Sequence, residues 1–110
     1  MADTQMDTID TDAIEIGNAL QVLTNHDWDI VKHSLGYGTR GQKPGWRNHF
    51  AAESGSTDYA AFEKMVGLDV AAKGRSLGYG DYFFITPVGI QAAAAHEAMQ
   101  KSKRSISKSA

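Results

Sequence analysis

Apolar positions along the chain keep a helical period in four stretches and form one short aromatic run. Ile16, Ala19, Leu20 and Leu23 share a face and predict a first helix over residues 13–24. Asp12 stands three residues before Glu15, a capping box with Asp in place of Ser or Thr. Gly17 weakens that helix by about 1 kcal/mol relative to alanine, so it depends on packing. Trp28, Val31 and Leu35 stripe a second helix, capped by Asn25 or Asp27 and stopped at Gly36. Residues 37–57 keep no period. Tyr59, Phe62, Met65 and Val66 then stripe a third helix, with Ser56 or Thr57 as cap and Asp58 where the helix dipole favours a negative charge. A left-handed Gly67, with Leu68 packing back, is the expected end of that helix. Asp69 to Lys73 reads as a strand, Gly74, Gly78 and Gly80 allow a reversal, and the aromatic run Tyr82 to Ile85 returns as the partner strand. Thr86 caps the closing helix with Pro87 at its first position, and Val88, Ala92, Ala95 and Met99 form its stripe.

These elements predict an α+β fold, mostly helical, with a two-stranded β-hairpin and a C-terminal helix packed as one domain over residues 12–102. A chain of 110 residues has room for one modest core, and a hydrophobic fraction of 42% suits an ordinary globule. Zero cysteines exclude disulfides, thiol catalysis, thiolate zinc sites and iron–sulfur clusters. No apolar run approaches the roughly 20 residues of a membrane helix and no signal peptide opens the chain, so the expected address is cytoplasmic, with no membrane partner.

The formal net charge of −2 hides an uneven distribution. Asp3, Asp7, Asp10, Asp12 and Glu15 crowd one end, and Lys101, Lys103, Arg104 and Lys108 the other. Residues 1–11 read as a disordered acidic tail and 103–110 as a flexible basic tail, both solvated. The basic tail could also add salt-dependent affinity for phosphates.

Candidate chemistry gathers in the aperiodic stretch. Gly36-Tyr37-Gly38-Thr39-Arg40-Gly41 is a literal G-x-G-x-x-G, but it leaves a helix and runs into Pro44, whereas a dinucleotide fold needs it to leave a strand and open a helix. Arg40, Lys43, Trp46, Arg47 and His49 follow within ten residues, with Glu53 as the one acid close after them. A long loop in a compact domain is usually functional or disordered, and Arg and Trp are the residues that most often anchor interfaces. Two readings stand: Trp46 and Phe50 cover an apolar edge while the basic residues face water, or the loop is a contact surface for a protein or nucleic acid. His26 and His33 lack a third ligand and read as exposed polar residues. No paired carboxylates, Ser-His-Asp pattern or ligand cluster points to catalysis, so no enzyme activity, cofactor, metal or small-molecule substrate is expected. Ser-Leu-Gly-Tyr-Gly occurs at 34–38 and again at 76–80, too short for a repeat architecture.

The order helix, Gly67-Leu68, hairpin, then Phe83-x-x-Thr86-x-x-Gly89 opening a helix resembles the second half of a winged-helix domain of the MarR-like regulators. Ser34-Leu35-Gly36, Arg47-Asn48-His49-Phe50, Asp58-Tyr59, Gly67-Leu68 and Phe84-Ile85-Thr86-Pro87-Val88-Gly89 together resemble small proteins encoded by phages and prophages, a family that carries no established activity. The first resemblance implies a winged-helix-like fold with the hairpin as wing, where Lys73, Arg75 and Tyr79 are the candidates for nucleic-acid contact. It also implies a double-stranded-DNA-binding transcriptional regulator as one function. Asp58 and Glu63 on the presumed recognition helix, against Lys64 alone, weigh against that role. The first expectation is therefore a non-enzymatic phage accessory protein, cytoplasmic in the host cell. It would bind a host or phage protein through Arg40, Lys43, Trp46, Arg47 and His49, and inhibition of a host system is one form such binding could take.

Overall fold

A computed structural model describes residues 11–109, with side chains as far as residue 103. Of the segment read as an acidic tail, only Thr11 falls among the described residues. The chain runs α1 (Thr11–Val22), α2 (Asn25–Ser34), β1 (Phe50–Glu53), α3 (Thr57–Gly67), β2 (Ala71–Ser76), β3 (Gly80–Ile85) and α4 (Pro87–Ser109). The fold is α+β, and its sheet is antiparallel with the order β1-β3-β2.

The expected two-stranded hairpin is therefore two-thirds of a sheet. β1, inside the stretch read as irregular, pairs Phe50 with Phe83 and Ala52 with Asp81 along β3. Its sequence, Phe-Ala-Ala-Glu, carries too little β-branched or aromatic character to announce a strand, so its partner decides the conformation. Asn48 prolongs the pairing with its side chain. The Asn48 amide donates to the Ile85 carbonyl at 2.8 Å and its oxygen accepts the Ile85 N–H at 2.7 Å.

Alternation along β3 sorts the sheet into two faces. Phe83 and Ile85 are buried, with Ala52 of β1 and Ala71 of β2 beside them. Against this face lies the α3 stripe: the Phe62 ring stacks on Phe83 with centroids 4.6 Å apart and meets Phe50 at 5.1 Å. Tyr59 stands edge-on to Phe83 at 5.3 Å and donates its hydroxyl hydrogen to Asp81. The opposite face is open to water: Ala51 and Phe84 are exposed, and Tyr82 and Ala72 half-buried.

The helix ends correct the sequence reading in two places. Thr24, not Asn25 or Asp27, caps α2, and Asp27 closes a capping box by accepting the Thr24 N–H. Buried Asp27 also accepts from the Lys64 ammonium, which ties α2 to α3. Burial alone would raise the Asp27 pKa; the Lys64 ammonium and the Thr24 donors outweigh it and hold the carboxyl below its ordinary value. At the far end of α3, Gly67 stays helical, and the left-handed residue is Asp69 with φ 63°. Short acidic side chains tolerate that conformation better than most. The expected caps of α3 and α4 are present: the Ser56 hydroxyl accepts the Tyr59 N–H, and the Thr86 hydroxyl the Gly89 N–H.

α1 packs Ala19 into the core, and Leu23 just past its end joins it there, as the expected stripe requires. On α4 the stripe rotates: Val88, Ala92 and Ala93 are buried, whereas Met99 is 45% exposed. His96, next to the expected stripe residue Ala95, stacks on Trp28 at 4.5 Å, beside the Lys32–Glu97 ion pair that joins α2 to α4. Helical backbone continues to Ser109, past the boundary expected at residue 102. Among the described residues no helix is long and apolar enough to cross a membrane.

Burial of the His96 ring and, after it, the Lys32 charge lower its pKa; Glu97 opposes them, and Lys103 and Asp29 add smaller effects of opposite sign. The folded protein thus resists protonation at His96 while the unfolded chain accepts it near the ordinary value. This contribution is complete above about pH 6.5 and is lost as pH falls from there through the lowered folded pKa. Melting temperatures taken between about pH 7 and about pH 5.5 should fall, and His96→Gln should flatten that fall. An identical slope in the variant would remove His96 from the account.

Candidate functional site

The loop between α2 and β1 turns repeatedly: Gly36, Gly38, Gly41 and Gly45 all have φ between 77° and 92°. It is nevertheless ordered by one requirement, the unpaired carbonyls that end a helix. Four successive carbonyls at the end of α2 accept from it. His33 takes the Arg47 guanidinium, through Nε at 3.3 Å and Nη2 at 2.7 Å. Ser34 takes the His49 N–H, Leu35 the Gly45 N–H and Gly36 the Trp46 indole N–H. The positive guanidinium also sits at the negative end of the helix dipole. Glycine is required at Gly36, because its φ is positive and a β-carbon there would overlap the Trp46 indole.

These ties fold the loop back beside the sheet and leave a shallow groove of about 330 Å³, lined by His33, Arg47, His49, Phe50, Ala51 and Tyr82. The His33 ring stands edge-on to Phe50 at 5.7 Å, and His49 edge-on to Tyr82 at 6.1 Å. The Arg47 guanidinium lies 5.8 Å from the centroid of the Trp46 ring, which is 47% exposed. A cation held by backbone and aromatic contacts, two imidazoles and a phenol can bind an anionic or hydrogen-bonding group.

The expected partner-binding residues divide. Arg47 and His49 line the groove and Trp46 lies beside the Arg47 guanidinium without lining it, whereas Arg40 and Lys43 are exposed elsewhere on the loop. The expected wing residues divide as well. Lys73 lies over the Tyr59 and Phe83 rings at 5.4 and 6.0 Å and 3.9 Å from Asp81, on the core side of the sheet. The Tyr59 hydroxyl beside it, with the charges of Asp81 and Glu63, holds its pKa above the ordinary lysine value against the opposing pull of desolvation. Arg75 is exposed on the β2 edge, and Tyr79, 62% exposed, sits in the β2–β3 turn. The sequence reading missed His33, Ala51, Tyr82 and Phe84. Tyr82 and Phe84 alternate with the buried Phe83 and Ile85, and a third strand beside β3 was the missing element that makes their face a surface.

A second depression of about 300 Å³ lies between α2 and α4, lined by Asn25, Trp28, Asp29, Lys32, His96, Glu97 and Gln100. Among the described residues Nδ1 of His96 is buried there without a hydrogen-bond partner, and Lys32 and Glu97 are paired across it.

No family model, curated protein or solved structure matches the chain.

Proposed function

We propose that the protein is a non-enzymatic interaction module that binds another protein through the open face of its sheet and the loop beside it. The observation that carries this reading is that Arg47 and Tyr82 line one groove, with exposed Trp46 beside the guanidinium and exposed Phe84 on the same uncovered sheet face as Tyr82. Aromatic residues and arginine on an accessible, rigid support are the usual anchors of protein interfaces. On the resemblance to phage and prophage proteins, the partner would be a host or phage protein, and blocking a host system is one outcome of such binding.

A second reading, a winged-helix-like binder of duplex DNA, is favoured by the strand order β1-β3-β2 with α3 leading into the β2–β3 hairpin. The surface of α3 opposes it. Ala60, Glu63 and Gly67 are exposed there, Lys64 is held by Asp27, and Asp58 pairs with His26 at 3.3 Å. A helix presenting Glu63 and glycine to phosphates lacks the donors that position a reader on DNA. Titrated with duplex DNA at about 150 mM salt, the protein should bind no tighter than the roughly 10⁻⁴–10⁻⁶ M of non-specific contacts. An operator bound at about 10⁻⁸ M or tighter would establish the second reading instead.

A further inference from the structure

The groove beside Arg47 has a chemical polarity that goes further than a general contact surface. Among the described residues its lining includes Arg47, two histidines and the Tyr82 phenol, and no carboxylate. The guanidinium is pre-positioned, because its Nε and Nη2 already donate to the His33 carbonyl and its plane lies near the Trp46 ring. The other terminal nitrogen has no hydrogen-bond partner among the described residues. A fixed guanidinium with a free N–H edge suits a carboxylate, and prior ordering reduces the entropy lost on binding. Phosphate readers instead assemble clusters of arginines, and this groove has one. Next to the charge, Ala51 and Tyr82 pair across β1 and β3, with exposed Phe84 two residues along the strand on the same face. Small and aromatic side chains together make a flat apolar seat at one end of which a negative charge is satisfied.

We propose that this groove anchors an aspartate or glutamate side chain of an acidic peptide segment on the protein partner, with an adjoining apolar side chain resting on Ala51 and Tyr82. This rests on the protein-binding reading above and adds the chemistry of the partner to it. Arg47 takes the carboxylate, His33 and His49 flank it with ring nitrogens, and Trp46 keeps the guanidinium in place.

The test is a titration of the full chain, labelled with nitrogen-15, with the acetylated peptide Glu-Leu-Glu-Leu-Glu, its glutamine counterpart Gln-Leu-Gln-Leu-Gln, and inorganic phosphate. The glutamate peptide should shift the amide signals of His49, Ala51 and Tyr82, and the glutamine peptide should bind on the order of tenfold more weakly, as loss of a charge-assisted hydrogen bond implies. Arg47→Gln should weaken the glutamate peptide to a similar degree. Because Arg47 also ties the loop to α2, Ala51→Glu is the second variant: it leaves those ties intact, places a competing carboxylate at the groove and should abolish the response. Equal binding of the two peptides, no shift at the groove, or a stronger response to phosphate than to the glutamate peptide would overturn the proposal. If the peptides fail while Trp46→Ala with Phe84→Ala still abolishes cross-linking of the protein to its partner, the carboxylate site is wrong and the protein-binding reading stands. If that pair of substitutions has no effect either, the reading itself fails.

Discussion

Phe62→Ala should lower the stability of the protein by about 3–5 kcal/mol, the range for truncating a fully buried aromatic ring. Phe62 has no exposed surface, and it joins α3 to two strands at once through its contacts with Phe83 and Phe50. Neighbouring Met65 is also fully buried, so the hole would be walled by packed groups with little room to collapse. A domain of this size has roughly 5–15 kcal/mol in total, and the loss would consume a large part of it. Urea unfolding measures the change directly; a loss below about 1 kcal/mol would mean that α3 does not seat on the sheet through this face.

Gly80→Ala should cost about 3 kcal/mol, near the upper end of ordinary overpacking. A β-carbon at Gly80 would overlap the carbonyl oxygen of Ala52 and come within 2.8 Å of the Glu53 α-carbon, both backbone atoms of the paired strand. A flexible side chain could move aside; a paired backbone cannot without opening the β1–β3 register. Since β1 carries Phe50 and Ala51, the same change should loosen the groove. Gly17→Ala is the matched control: among the described residues a β-carbon there meets nothing within 4 Å, and the helix should gain up to about 1 kcal/mol. Hydrogen exchange at β1 should rise in the Gly80 variant and stay unchanged in the Gly17 variant. If Gly80→Ala falls within about 0.5 kcal/mol of the parent, β1 is not paired as described.

The contrast between those two glycines marks how far the chain can be read without its structure. Helices were legible because their stripes are local: Ile16 with Ala19, Phe62 with Met65, and Thr86 with Pro87 signal their element within a few residues. β1 was not, because Phe-Ala-Ala-Glu becomes a strand only through Phe83 and Asp81, some thirty residues away. Gly80 read as hinge freedom and is instead a close approach between strands, a distinction that depends on what lies opposite. The repeated Ser-Leu-Gly-Tyr-Gly shows the same limit. Both copies end an element and turn through a glycine with positive φ, Gly36 at 77° and Gly78 at 87°. The fifth position then diverges, with Gly38 left-handed in a loop and Gly80 buried in β3.

At the candidate site, the basic and aromatic character of residues 40–49 was visible in the sequence; of these residues Arg47 and His49 line the groove, and Trp46 lies beside Arg47. Arg40 and Lys43 share their composition and not their position, because only residues tied to the end of α2 are drawn back to the sheet. Lys73, read as a wing cation, is exposed but lies on the α3 side of the sheet, because its neighbours Tyr59 and Asp81 come from other elements. Tyr82 and Phe84 were visible as aromatics, but the direction they face follows from β1.

The central claim, that the sheet face and loop bind a protein while α3 binds nothing, is tested most directly by photo-cross-linking in cells producing the full chain. A benzophenone amino acid is placed at Phe84, on the open sheet face, or at Ala60, on the exposed face of α3. The account predicts a discrete protein adduct from Phe84, lost when Trp46→Ala is added, and none from Ala60. Adducts from Ala60 alone, and above all adducts to nucleic acid there, would contradict it.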